Sequence, residues 1–224
     1  MISVLDHGYV ELEDSMASDL SVVNAARVSF NNHHLKMEEG DDKLIRFLMK
    51  NKHGTPFEHN AFRFRIKAPL FVFREWQRHR WSSFNEWSGR YSELKPEFYI
   101  PVPKNVRTQT GKPGAYTFEP TRADVAEAFI WRLEKQSNLA FGEYEDAING
   151  GIAKELARLF LPLNIYSEMF WTVNARALMN FLSLRNADTA MFEIREYAEA
   201  IEEYFDNEMP VTAQAFVANG RIAP

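Results

Sequence analysis

Residues 78–90 read RHRWSSFNEWSGR, and this segment places the hardest constraint on any fold the chain can adopt. Arg78, His79, Arg80 and Glu86 crowd together, and Ser88, Gly89 and Arg90 follow directly. A charge taken out of water needs a partner. The fold must therefore leave the segment as a solvated surface or close it around something charged. A solvated basic helix end is the simpler alternative, and the interleaved Asn85, Glu86, Ser88 and Gly89 count against it.

The chain has no cysteine, which removes disulfides, thiolate metal sites and thiolate nucleophiles together. Its net charge of -5 gives no general attraction to nucleic acid or to an anionic membrane, so the arginine cluster must act locally. A length of 224 residues is enough for one domain with a substantial core. Aromatic residues at 14% allow dense packing and also flat surfaces on which a ring can stack. No window resembles a membrane span, and the opening MISVLDHGYVEL lacks the layout of a signal peptide; a cytoplasmic protein is expected.

Hydrophobic spacing predicts helices over 19–27 and 41–50. Thr55 before Pro56 is the pattern of an N-cap followed by proline at the first helical position. Residues 61–67 alternate, with Phe62, Phe64 and Ile66 on one side and Arg63, Arg65 and Lys67 on the other, which predicts a strand ended by Pro69. A helix is expected over 70–80, placing Arg74 and Arg78 on one face, and then a loop over 81–90. The prolines and glycines of 101–120 predict a long irregular connection. Thr121 with Asp124 resembles a capping box that opens a helix to about residue 148, broken by Gly150 and Gly151. A helix over 152–160, a strand over 164–173 and a helix capped by Asn174 to about residue 184 follow. Met191, Ile194, Ala198, Ile201 and Phe205 form the stripe of a final amphipathic helix. Together these predict a single α+β domain over 1–224, helix-dominant, with a central β-sheet flanked by helices.

No G-x-G and no G-x-x-x-x-G-K-[ST] occurs, so a bound nucleotide would have its phosphates held by side chains. Arg74, Arg78, Arg80 and Arg90 supply guanidinium forks suited to phosphate oxygens, Gly89 allows close backbone approach, and Asn85 and Ser88 add neutral contacts. Ser88 sits in N-E-W-S-G rather than G-x-S-x-G, so phosphate binding is favoured over a nucleophilic role. His53, His59 and His79 with Glu58 match no metal-ligand spacing, and no metal is expected. The His33-His34 pair falls in a polar loop and is expected to be solvated. Arg176 and Asn180 share a helix face after Asn174, and Arg158 and Arg185 stand beside apolar runs where each needs an anion or a carboxylate.

The order R-H-R, seven residues, S in Arg78-His79-Arg80 to Ser88 resembles the signature of the flavin-dependent thymidylate synthases. The resemblance continues through AARVSF (25–30), HGTPFEH (53–59), GRYS (89–92) and LPLNIY with FWTVNARALMNFLSLR (161–185). It implies the fold of that family and a homotetramer with FAD sites built from several subunits. It implies FAD contacts at Ser29, Thr55, Arg78, His79, Arg80, Glu86, Asn174, Arg176 and Asn180, with Asn85 nearby and His53 and Tyr91 close to the flavin. It implies nucleotide contacts at Glu75, Gln77, Arg78, Glu86, Ser88, Gly89, Arg90, Arg158 and Arg185. Arg185 matches the arginine that favours ionisation of uracil N3 and so activates C5. The implied reaction is reductive methylation of dUMP to dTMP, with methylenetetrahydrofolate as carbon donor and NADPH reducing FAD. The missing cysteine agrees, since no thiolate is available to attack uracil C6. Relatives that methylate UMP in antibiotic pathways are the alternative within the family. The chain departs from some members at Thr189, where they carry histidine, and at Glu75, where they carry glutamine. Outside the family, a non-catalytic phosphate or nucleic-acid binder is opposed by the acidic net charge, and metal-dependent hydrolysis ranks last.

Overall fold

The computed structural model describes residues Met1–Pro224. In chain order the elements are β1 (Ile2–Val4), β2 (Gly8–Ser15), α1 (Asp19–Arg27), α2 (Asp41–Lys50), β3 (Ala61–Pro69), α3 (Leu70–Trp76) and β4 (Ser82–Glu86). There follow β5 (Arg107–Lys112), β6 (Ala115–Pro120), α4 (Ala123–Asn149), α5 (Lys154–Ala157), β7 (Tyr166–Asn174), α6 (Ala175–Arg185), α7 (Phe192–Glu208) and α8 (Pro210–Ala218). The architecture is α+β. The contacts divide the chain into two compact units. The first comprises Met1–Lys67, Val72–Glu86 and Glu168–Pro224, and the second Ala68–Phe71 and Trp87–Ser167. One division falls inside the charged segment, between Glu86 and Trp87.

In the first unit the strands lie in the order β1-β2-β3-β7-β4, with β1/β2, β2/β3 and β4/β7 antiparallel. The alternation of β3 is realised, with Phe62, Phe64 and Ile66 fully buried. Phe64 stacks on Trp171 of β7 at 5.8 Å, and Trp171 meets Phe181 of α6 at 5.0 Å and Trp76 of α3 at 5.3 Å. This aromatic block fixes α3 and α6 beside one another, because rings of this size lose several kcal/mol (about 3–5) on truncation. Asn174 caps α6 as expected, its side chain accepting from the Ala177 N–H at 2.8 Å. The second unit has its own core of Phe98, Phe141, Tyr144, Ala157 and Ile165. No helix is long and apolar enough to cross a membrane.

Several local expectations are corrected. The helix expected over 70–80 stops at Trp76, so Arg78 and Arg80 lie beyond its end. The loop expected over 81–90 contains β4, which pairs with β7 from Ser82↔Val173 to Glu86↔Met169. Polar residues on both faces of a short edge strand hide its period. The irregular stretch 101–120 contains the β5/β6 hairpin, whose strands are exposed on both sides and so carry no apolar alternation. Asp124 does not cap α4; it takes a two-pronged ion pair from Arg122 at 2.6 and 2.8 Å. Thr55 opens a 3-10 turn without a side-chain cap, and the helix expected over 152–160 shrinks to α5 and a further 3-10 turn. The stripe from Met191 belongs to α7, which is followed by α8 and so is not the final helix. His34 is buried rather than solvated, 3.0 Å from the carboxylate of Asp41.

Candidate active site

Within the first unit a cavity of about 560 Å3 opens where α6 begins. Trp171, Val173 and Ala177 give it an apolar floor, and His79, Ser82, Asn174, Arg176 and Asn180 bring polar groups to it. Trp81 stands at its edge, 87% exposed, a ring free to stack. Asn174, Arg176 and Asn180 arrive together because they share the first two turns of α6. The Arg176 guanidinium is engaged by Glu58 Oε1 at 2.5 Å and by the main-chain oxygen of Pro224 at 2.7 Å. Gly54 leaves room for it, since a Cβ there would come within 2.6 Å of Arg176 Cζ and push the guanidinium aside.

His79 also touches Arg185, the last residue of α6. Arg185 Nε donates to His79 Nε2 at 2.9 Å, Nη1 to Glu75 Oε2 at 2.6 Å, and Nη2 to the Glu75 carbonyl at 3.1 Å. Phe181, one turn before Arg185, packs edge-on against the imidazole at 5.0 Å. Burial, and then the charge of Arg185, push the His79 pKa down to about 4. The ring is therefore neutral at pH 7 with its proton on Nδ1, and Nε2 is the acceptor.

In the second unit Ser88, Gly89, Arg90 and Tyr91 form a tight turn. Tyr91 N and Ser92 N donate to the Ser88 carbonyl at 3.1 and 3.2 Å, and Arg90 N donates to Ser88 Oγ at 3.3 Å. Gly89 is buried, and a Cβ on it would lie 3.4 Å from Arg158 Cδ. Arg90 Nε donates to Glu155 Oε2 at 3.1 Å, and Arg158 Nε to the Glu155 carbonyl at 3.3 Å. One residue of α5 thus holds two arginines beside a half-buried serine and a glycine, a donor set suited to phosphate.

The model of the Thymidylate synthase complementing protein family matches residues 11–211. The chain is 47% identical to the flavin-dependent thymidylate synthase of Thermotoga neapolitana, over 96% of this chain and 94% of that protein. It is 46% identical to the enzyme of the same name from Tropheryma whipplei, again over 96% and 94%. The chain belongs to this family. Among solved structures it resembles the UMP/dUMP methylase PolB from Streptomyces cacaoi. The PolB structure bound with 5-Br UMP is 42% identical with a TM-score of 0.89, covering 100% of this chain and 99% of that one. The structure bound with 5-Br dUMP is 43% identical with a TM-score of 0.90, covering 100% of both.

Of the flavin contacts that the family resemblance implies, His79, Asn174, Arg176 and Asn180 line the cavity. Thr55 lies on the same 3-10 turn as Glu58, which does line it. Ser29, His53, Arg78, Arg80, Asn85 and Glu86 are not among its lining residues. Ser29, Arg78, Arg80 and Asn85 are exposed, and His53 lies 5.8 Å from the ring of Phe47. Gln77 reaches Glu86 Oε2 at 3.4 Å. Sequence reasoning missed Trp171, Ser82 and Trp81 as wall residues, and Glu155 as the anchor of Arg90 and Arg158. Only Glu155 left a signal, and an indirect one: its carboxylate three positions before Arg158 suggests a pair with that arginine, but the carboxylate meets Arg90 and Arg158 takes the main-chain carbonyl.

Proposed function

We propose that the protein is a flavin-dependent thymidylate synthase that methylates dUMP at uracil C5 to give dTMP. Methylenetetrahydrofolate provides the carbon, and FAD reduced by NADPH provides the electrons. The observation that carries this reading is the convergence of His79, Asn174, Arg176 and Asn180 on one cavity in a chain that belongs to the family. The cavity fits a flavin in kind: an apolar floor for a ring system, two amides for its polar edge, and a guanidinium for an anionic group. An anion reaches Arg176 by displacing Glu58 or the Pro224 oxygen. The flavin, when bound, supplies the reducing electrons of the reaction.

The chain's own residues supply binding and electrostatics. Arg185 places positive charge where negative charge develops on the uracil after loss of the N3 proton, which raises electron density at C5. It does so without a cysteine nucleophile, since the chain has none. Ser88, Gly89, Arg90 and Arg158 are assigned to the nucleotide phosphate, with Gln77, Arg78 and Glu86 as further nucleotide contacts and Tyr91 beside the flavin. The reading includes self-association to a homotetramer and a cytoplasmic location. Purified protein should carry a flavin spectrum and release tritium from [5-3H]dUMP when given NADPH and methylenetetrahydrofolate. A colourless protein that neither binds added FAD nor reacts would overturn the reading.

A second reading, methylation of UMP, is favoured by one observation: the PolB relative is a UMP/dUMP methylase with structures holding either nucleotide analogue. Parallel assays with [5-3H]UMP and [5-3H]dUMP decide between them by the ratio of kcat/KM.

A further inference from the structure

Arg185 is a fastened arginine, and its fastening is unusual for a group expected to meet a ligand. A guanidinium has five N–H donors. Three are spent inside the protein, on the His79 ring, the Glu75 carboxylate and the Glu75 carbonyl. Both Glu75 contacts come from one residue, so the plane of the guanidinium is set by α3 as well as by its own helix. His79 completes the arrangement from a third direction, and its ring is itself held edge-on by Phe181. The side chains of Arg185 and Glu75 are 20% and 34% exposed, so water competes weakly for these bonds. Two N–H groups remain for a planar ligand edge.

We propose that Glu75 and His79 are positioning residues that aim Arg185, so that Glu75 acts on the reaction through the arginine rather than by touching the nucleotide. This rests on the reading of Arg185 as the residue that acts on uracil. The chemistry needs the cation aligned with N3 and its neighbouring carbonyl, and an error of about 1 Å in such a group costs on the order of 100-fold in rate. A free arginine carries several rotatable bonds, and fixing them at the moment of reaction would cost most of that alignment. The protein meets this cost during folding. His79 can serve only as a neutral ring, since a proton on Nε2 would face the Arg185 N–H directly. Its depressed pKa keeps it in that form. Glutamine at position 75 would keep both the side-chain and main-chain acceptors, whereas alanine would keep only the carbonyl.

The experiment is a double-mutant cycle on the FAD-loaded enzyme, reading [5-3H]dUMP tritium release and, by calorimetry, dUMP affinity. Glu75→Ala is expected to lower kcat about 10-fold or more while the dUMP dissociation constant stays within about 2-fold. Glu75→Gln should recover most of the rate. In an Arg185→Ala background, Glu75→Ala should change the residual rate by less than about 3-fold. A weakening of dUMP binding by Glu75→Ala that is equal in the wild-type and Arg185→Ala backgrounds would overturn the proposal, because Glu75 would then contact the nucleotide itself. The fastening is also read without turnover, in nucleotide-free protein labelled with 15N-arginine. The Arg185 Nη1–H that meets the Glu75 carboxylate should be protected from exchange in wild type and in Glu75→Gln and lose that protection in Glu75→Ala, and unchanged protection in Glu75→Ala would equally overturn the proposal. If wild-type protein releases no tritium, the functional reading fails, while the NMR result still reports on the anchor alone.

Discussion

Arg185 in the first unit and Arg90 in the second each lean on one glutamate, yet the two pairs do different physical work. Arg185 and Glu75 are mostly shielded, meet at 2.6 Å, and are joined by a second bond to the Glu75 carbonyl and a third to His79. Arg90 and Glu155 are more than half exposed and meet at 3.1 Å through a single nitrogen. An exposed pair of this kind is worth about 0–1 kcal/mol, because water and salt compete for both partners. A shielded, multiply bonded arginine is hard to move, because each freed donor loses a bond that water does not fully replace. One arginine is therefore an oriented fixture and the other an adaptable charge. That division suits their assigned tasks: a directional effect on a planar base, and capture of a rotating phosphate.

The largest expected effect comes from deleting the fixture. Arg185→Ala should retain the flavin spectrum and lower tritium release by about 100-fold or more, roughly 3 kcal/mol of transition-state stabilisation. Full activity in that variant would remove Arg185 from the chemistry and with it the contrast drawn above.

Next in size is the response of the fixture to acid. The His79 pKa is about 4 in the folded protein, against an ordinary 6.5. As pH falls from 6.5 toward 4 the unfolded chain takes up the proton first, so stability is full above pH 6.5 and declines below it. The charge facing the ring is that of Arg185, with the Phe181 ring on its edge and the Ser82 hydroxyl on its carbonyl. Discounting for the ring's partial exposure, the decline is about 2 kcal/mol. Urea midpoints at pH 7 and pH 4.5 should show this loss in wild type and a smaller one in His79→Gln. Parallel losses in the two proteins would mean that His79 is not the titrating group.

How far the sequence foretold this contrast depended on the range of the forces involved. The aromatic face of β3 and the Asn174 cap were legible, because a strand's period and a cap's geometry are local. Arg176 and Asn180 were grouped correctly, since helical spacing alone joins them. Glu75 and Arg185 stand 110 positions apart, and nothing in the spacing of either predicts that they meet. The edge strand β4 was missed for a related reason: its order comes from pairing with β7, not from its own polar residues. The exposed hairpin 107–120 was missed because neither of its faces is buried, so burial wrote no pattern into it.

A smaller effect should follow from deleting the adaptable charge. Arg90→Ala is expected to weaken dUMP binding by about 10-fold, near 1.4 kcal/mol, and to flatten the dependence of that affinity on salt. Its midpoint of thermal unfolding should hardly move, since the Glu155 pair is solvated. A large loss of stability with unchanged nucleotide affinity would recast Arg90 as a structural residue rather than a phosphate ligand.

The smallest effect tests the comparison most sharply, because it applies one truncation to both glutamates and expects opposite signs. Glu155→Ala removes the carboxylate that occupies Arg90 but keeps the main-chain oxygen that receives Arg158. Stability should change by no more than about 0.5 kcal/mol. With the competing anion gone, Arg90 is free for a phosphate, and dUMP binding should tighten by about 2-fold to 3-fold at low salt, the gain fading as salt is raised. Glu75→Ala, by contrast, should lower kcat, because there the carboxylate aims the arginine instead of competing for it. If Glu155→Ala instead weakens binding, the Arg90 pair is itself an oriented fixture, and exposure alone does not separate the two kinds of arginine.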